Sequence, residues 1–130
     1  MAGTFKFELV TPERMALSQD AAQVVVPGVE GDFTVLAGHA PVISALRPGI
    51  IDVTLPDASK TRIFVKGGFA EVDAGHLTVL AERALDVEAM DAATVAAELE
   101  TAQADLASAT DDAARLAAAS AVERLRGLGR

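Results

Sequence analysis

The stretch Pro27–Gly49, PGVEGDFTVLAGHAPVISALRPG, decides the fold of this chain. Proline–glycine units bracket it at Pro27-Gly28 and Pro48-Gly49, and Gly31, Gly38 and Pro41 lie between them. Backbone punctuated this densely turns several times within a short span, which rules out a helix. Its apolar residues Phe33, Val35, Leu36, Val42, Ile43 and Leu46 therefore read as short strand pieces anchoring a loop in a sheet. His39 sits at the tip, between Gly38 and Ala40-Pro41. A loop of this kind, held between strands, presents a surface.

Outward from that stretch, the pattern stays β from Phe5 to Glu82. Phe5, Phe7 and Leu9 alternate with Lys6 and Glu8, the period of a strand with one buried face. Met15 to Val26 reads as a second stretch ending in Val24-Val25-Val26, a β-branched run suited to burial on both faces. Ile50–Leu55 and Thr61–Lys66 form a hairpin around Pro56-Asp57-Ala58-Ser59. Lys66-Gly67-Gly68-Phe69 reads as a tight break, and Asp73-Ala74-Gly75-His76 turns the chain into Leu77–Leu80. Short strands with turn signals at about 8–12-residue spacing predict a sandwich or flattened barrel.

Near Leu85 the composition changes. Proline is absent beyond it, glycine is absent until Gly127, and alanine dominates, so helix propensity is high. Val95, Leu99, Ala102 and Leu106 fall on one helical face, and Asp86 or Asp91 can cap the start. A second helix is expected after Thr110 as N-cap, with Leu116, Ala118, Val122 and Leu125 inward and Gly127 as its stop. The fold class is α+β: residues 1–85 an antiparallel β-sandwich, residues 86–130 a two-helix hairpin. Alanine buries little area, so the hairpin must lean on the sandwich or on a partner, or be able to come away.

The net charge of −8 argues against nucleic acid, whose phosphates need a basic surface. With no cysteine there is neither a disulfide framework nor a thiolate metal site. The beginning, MAGTFKFELV, has no basic segment followed by an apolar run, so no secretory signal is expected. No apolar stretch approaches the roughly 20 residues of a spanning helix. His39 and His76 have no metal-ligand spacing, and Gly28-Val29-Glu30-Gly31 lacks the Lys-Ser/Thr of a phosphate loop. No cofactor, metal or catalytic residue is expected, and any membrane contact goes through partners.

Taken in order, GVEGDFTVLAGHAPVISALRPGII, VKGGFAEV, HLTVLAERA and the Ala/Glu-rich hairpin closely resemble the epsilon subunit of F-type ATP synthases, called delta in mitochondria. The resemblance spans nearly the whole chain and is strongest from Val25 to Ala84. It implies a non-catalytic central-stalk subunit of a proton-translocating rotor, at the cytoplasmic face of a bacterial inner membrane. In such subunits the sandwich binds gamma, its Gly-rich end rests on the polar loops of the c-ring, and the hairpin can extend towards the alpha/beta catalytic head. Carried over by position, Glu30, Gly31, Asp32 and His39 are the candidates for the c-ring contact.

Two departures bear on regulation. Some relatives bind ATP through Ile or Leu, Asp, two variable residues, Arg and Ala; here the positions read Leu85, Asp86, Val87, Glu88, Ala89, Met90. The bidentate partner of a phosphate is thus replaced by Ala89. Inhibitory tails tend to be basic in the second helix, whereas residues 86–130 carry four arginines against nine acids. The alternatives are a nucleotide-sensing or ligand-binding regulatory sandwich and a small hydrolase using His39 with a nearby Asp.

Overall fold

A computed structural model describes residues 3–128. Eight strands come first: β1 (Phe5–Val10), β2 (Met15–Ala21), β3 (Gln23–Gly28), β4 (Gly31–Leu36), β5 (Val42–Ala45), β6 (Gly49–Thr54), β7 (Lys60–Asp73) and β8 (His76–Asp86). A single 3-10 turn, Val87–Ala89, leads to helices α1 (Ala92–Ser108) and α2 (Asp112–Leu128). The strands run β2-β1-β8-β7-β6-β3-β4, with β5 added on β7. All pairings are antiparallel except β1 with β8. Folded over as a sandwich, they enclose an aliphatic core in which Phe7, Val24, Val26, Ile51, Val53, Val65, Leu77 and Val79 are fully buried.

Three strand expectations change. Met15–Val26 is two strands, β2 and β3, separated at Ala22. Val24 and Val26 are buried but Val25 is only half-buried, so β3 hides one face fully and the other in part. The segment buried on both faces is Ile63-Phe64-Val65 in β7: Ile63 and Val65 enter the sandwich core, while Phe64 joins Ala102, Ala121, Val122 and Leu125 of the helices. Burying Phe64 contributes about 2–3 kcal/mol to that joint.

Lys66–Phe69 is a kink inside β7, not a break, because β7 pairs with β8 on both sides of it. At Gly68, φ is +112 and an added Cβ would lie 1.8 Å from the Leu80 carbonyl oxygen, so only glycine lets the strand pass. The kink divides one edge of β7 between two partners, β6 along Lys60–Val65 and β5 along Phe69–Val72. Arg47 and Pro48 form the corner between those partners.

In the hairpin, Asp91 caps α1 by accepting the Thr94 amide at 2.8 Å. Asp86 caps the 3-10 turn through the Glu88 amide at 2.9 Å. Helix α2 is capped by Asp111, whose carboxylate accepts the Ala114 amide at 2.7 Å, not by Thr110. An aspartate one residue later reaches the orphan N–H groups with a full charge. Gly127 lies within α2, which continues to Leu128, the last described residue.

Val95 and Ala102 are buried and Leu99 and Leu106 half-buried, as their spacing predicts. Leu116 is not: it is 71% exposed, while Ala118, Ala121, Val122 and Leu125 face inward. At 100° per residue Leu116 lies across the helix from that set.

The hairpin rests on the sandwich through polar links as well as Phe64. Ser120 Oγ donates to the Pro48 carbonyl at 2.7 Å. Three ion pairs join a sandwich cation to an acid beyond β8: Arg83–Glu98 at 2.6 Å, Arg62–Glu88 at 3.5 Å and Lys66–Asp105 at 4.0 Å. Beside them a cleft of about 440 Å³, lined by Leu46, Pro48, Lys66, Asp105, Ser108 and Ala118, remains between the helix bend and the sheet.

Candidate functional site

The β3–β4 hairpin closes on the pair Gly28–Gly31, leaving Val29 and Glu30 as its tip. Gly31 takes φ +133, a region that side chains with a Cβ avoid. The tip is tied down from below. The Val29 amide donates to the Ala45 carbonyl at 2.9 Å and the Arg47 amide to the Pro27 carbonyl at 3.0 Å. The Arg47 guanidinium donates through Nη1 to the Gly28 carbonyl and through Nη2 to Asp32 Oδ1, each at 2.5 Å.

Glu30, Gly31, Asp32 and His39 all line one open groove of about 650 Å³ at this end of the sandwich, together with Val29, Phe33, Val42 and Ile43. His39 is half-buried, its ring 6.4 Å from that of Phe33. Its Nδ1 lies 2.6 Å from the Ala40 carbonyl. A carbonyl only accepts, so Nδ1 carries the proton in that bond. The carboxylate nearest in sequence, Asp32, is engaged by Arg47, so no histidine–carboxylate dyad forms here. His39 and His76 line one small cleft of about 10 Å³ with Phe5, Val35 and Val72, which no carboxylate lines. Among the described residues no group of three His, Cys, Asp or Glu is placed to hold a metal.

Sequence reasoning missed two features of this surface. Val29 and Ile43 are 51% and 68% exposed and Leu36 and Val42 are also open, so part of the loop's apolar set is displayed and does not anchor it. Arg47 was the other. The signals were available: a β-branched residue at the tip of a two-residue turn, and the sole Lys or Arg between Pro27 and Gly49.

The Leu85–Met90 elbow is elsewhere, at the joint with the helices. Leu85 and Met90 pack into the cluster around Phe64, Asp86 is used as a cap, and Ala89 is exposed. The neighbouring arginine, Arg62, is paired with Glu88.

Comparison with known proteins bears on the whole chain. The family described as ATP synthase, delta/epsilon chain, beta-sandwich domain, matches residues 4–87. An ATP synthase epsilon chain of Parvibaculum lavamentivorans is 46% identical over 128 residues, covering 98% of this chain and 97% of the relative. One of Maricaulis maris is 47% identical over 124 residues, 95% and 92% of the two chains. Among solved structures, a chain of the Euglena gracilis mitochondrial ATP synthase (OSCP/F1/c-ring) superposes with TM-score 0.74 at 28% identity, over 96% of this chain and 79% of that one. A chain of the Tetrahymena thermophila central stalk and c-ring shares the fold, with TM-score 0.65 at 16% identity over 99% and 98%.

Proposed function

The chain belongs to the delta/epsilon family of ATP synthase subunits, and on that premise we propose that the groove around Glu30, Gly31, Asp32 and His39 is its contact with the polar loops of the c-ring. As an epsilon chain it is a non-catalytic subunit of the central stalk, coupling c-ring rotation to the catalytic head through gamma. Such a part makes and breaks no bonds. It transmits torque by being stiff between two partners, which a closed sandwich core provides. The observation that supports the contact is the convergence of all four residues on one open, partly apolar groove at the end of that rigid body.

The division into a sandwich, residues 1–85, and a hairpin, residues 86–130, is part of the same reading, supported by the single 3-10 turn between sheet and helices. The hairpin is then the element able to reach the alpha/beta head. The nucleotide-sensing alternative draws no support from the elbow, where Ala89 offers no phosphate donor and Asp86 is committed to the Glu88 amide. No described helix is long and apolar enough to cross a membrane, so attachment to this membrane-associated complex runs through protein partners. With bacterial relatives of this similarity, we place the assembly at the cytoplasmic face of the inner membrane.

Disulfide cross-linking tests the contact. In the intact complex, Glu30→Cys should link to a cysteine in the c-subunit polar loop. Asp57→Cys, in the β6–β7 turn at the far end of the sheet, should not. Equal linking from both positions, or linking only from Asp57, refutes the assignment.

A further inference from the structure

Arg47 is the sole Lys or Arg between Pro27 and Gly49, and it stands at the corner where β5 passes into β6. Its three hydrogen bonds reach both strands of the β3–β4 hairpin just below the tip. The backbone amide holds Pro27, Nη1 holds the Gly28 carbonyl and Nη2 holds Asp32 Oδ1. Pro27 is the cross-strand partner of Asp32, and Gly28 that of Gly31, so one side chain fastens two successive rungs of the ladder. The Arg47 side chain is 26% exposed and that of Asp32 46%, so the cation is partly sheltered from the solvent that weakens surface ion pairs while the carboxylate stays open to it. A planar fork satisfies two acceptors at a fixed separation, which a lysine ammonium on a flexible stem does not reproduce.

We propose that Arg47 is a positioning residue that gives the two carboxylates of this loop different tasks. Asp32, neutralised by Arg47, shapes the tip. Glu30, which has no ion pair among the described residues, is the carboxylate presented to the partner, flanked by the exposed side chains of Val29 and Ile43. The partner loop that fits carries a cationic or amide donor opposite Glu30 and methyl-bearing side chains opposite Val29 and Ile43. The division of tasks inside the loop stands on this chain alone. The identity of the partner rests on the c-ring reading above.

The experiment separates the two. Amide hydrogen exchange on the full chain reads the clamp. Arg47→Gln should speed exchange at Val29 and Gly31 about tenfold or more while Val53 and Phe64 stay unchanged, because charge-assisted bonds are lost locally. Arg47→Lys should recover part of the protection, and Asp32→Asn should reproduce the loosening in a chain that keeps the arginine. Glu30→Gln should leave the tip protected. Unchanged tip exchange in both Arg47→Gln and Asp32→Asn, or equal loosening by Glu30→Gln, overturns the proposal. In the assembled complex, Glu30→Cys should link to the c-subunit loop less efficiently when combined with Arg47→Gln. If exchange behaves as expected and Glu30→Cys never links with Arg47 intact, the clamp stands and the c-ring assignment falls.

Discussion

Arg83 and Glu98 meet across the joint between sheet and helices, with both Nε and Nη2 of the arginine donating to the same carboxylate oxygen, at 3.0 and 2.6 Å. The two ends of this pair are unequal, since the glutamate side chain is 10% exposed and the arginine 53%. Removing the arginine strands a buried carboxylate, whereas removing the glutamate leaves a cation that water can reach. Arg83→Gln should therefore cost roughly 1–3 kcal/mol of hairpin docking and Glu98→Gln distinctly less. Denaturant unfolding followed by helical circular dichroism orders the two variants, and the reverse order refutes the account.

Acid should loosen the start of α1. The Thr94 backbone amide, and after it the Thr94 side chain, hold the Asp91 carboxyl below its ordinary value of 3.8. The folded value thus lies below the unfolded one, so the cap's stabilisation is complete above the unfolded value and lost as pH falls through the folded one. Asp91→Asn caps without titrating and should flatten that acid limb. Helix content measured from neutral pH to below the usual aspartate range checks the difference in slope.

Two leucines of α2 should behave in opposite ways. Leu116 is 71% exposed and Leu125 fully buried against Phe64's cluster. Leu116→Ala should stay within about 0.5 kcal/mol of the parent, while Leu125→Ala should lose about 2–4 kcal/mol. Comparable losses in urea titrations would mean the helix faces have been assigned wrongly.

Gly68 and Gly31 both hold positive φ, but only the first is also crowded. An alanine at Gly68 meets the Leu80 carbonyl at 1.8 Å, whereas at Gly31 nothing lies within 4 Å. Gly68→Ala should cost at least about 3 kcal/mol, and Gly31→Ala the backbone strain alone, about 1–2 kcal/mol. Thermal unfolding of the pair decides whether the β7 kink has the role given to it.

The sandwich and hairpin were readable because proline and glycine punctuate one half and are nearly absent from the other. Glu30, Asp32 and His39 were readable as polar groups left over once glycine and proline set the turns, but the local task of Asp32 as acceptor of the Arg47 bond was not. The Arg47–Asp32 bond joins residues 15 positions apart, through a corner that exists only once β5 and β6 share an edge of β7, so no local pattern announces it. Leu116 misled because an alanine-rich helix has a weak apolar stripe, and the sheet beneath decides which side faces in. Phe64 was hidden in a run of three apolar residues whose outward member is covered by a helix about 40 or more positions later.

The parallel ladder from Lys6–His76 to Val10–Leu80 sets a constraint on how the chain is made. Until residues 76–80 have left the ribosome, β1 has only β2 beside it, and a lone two-stranded ribbon is marginal in water. Closure of the sheet therefore waits for the last strand, and the loop it must close is long. The helices are synthesised after that and find the Phe64 face already built. Order of synthesis thus allows the sheet to close before the helices that cover Phe64 are made.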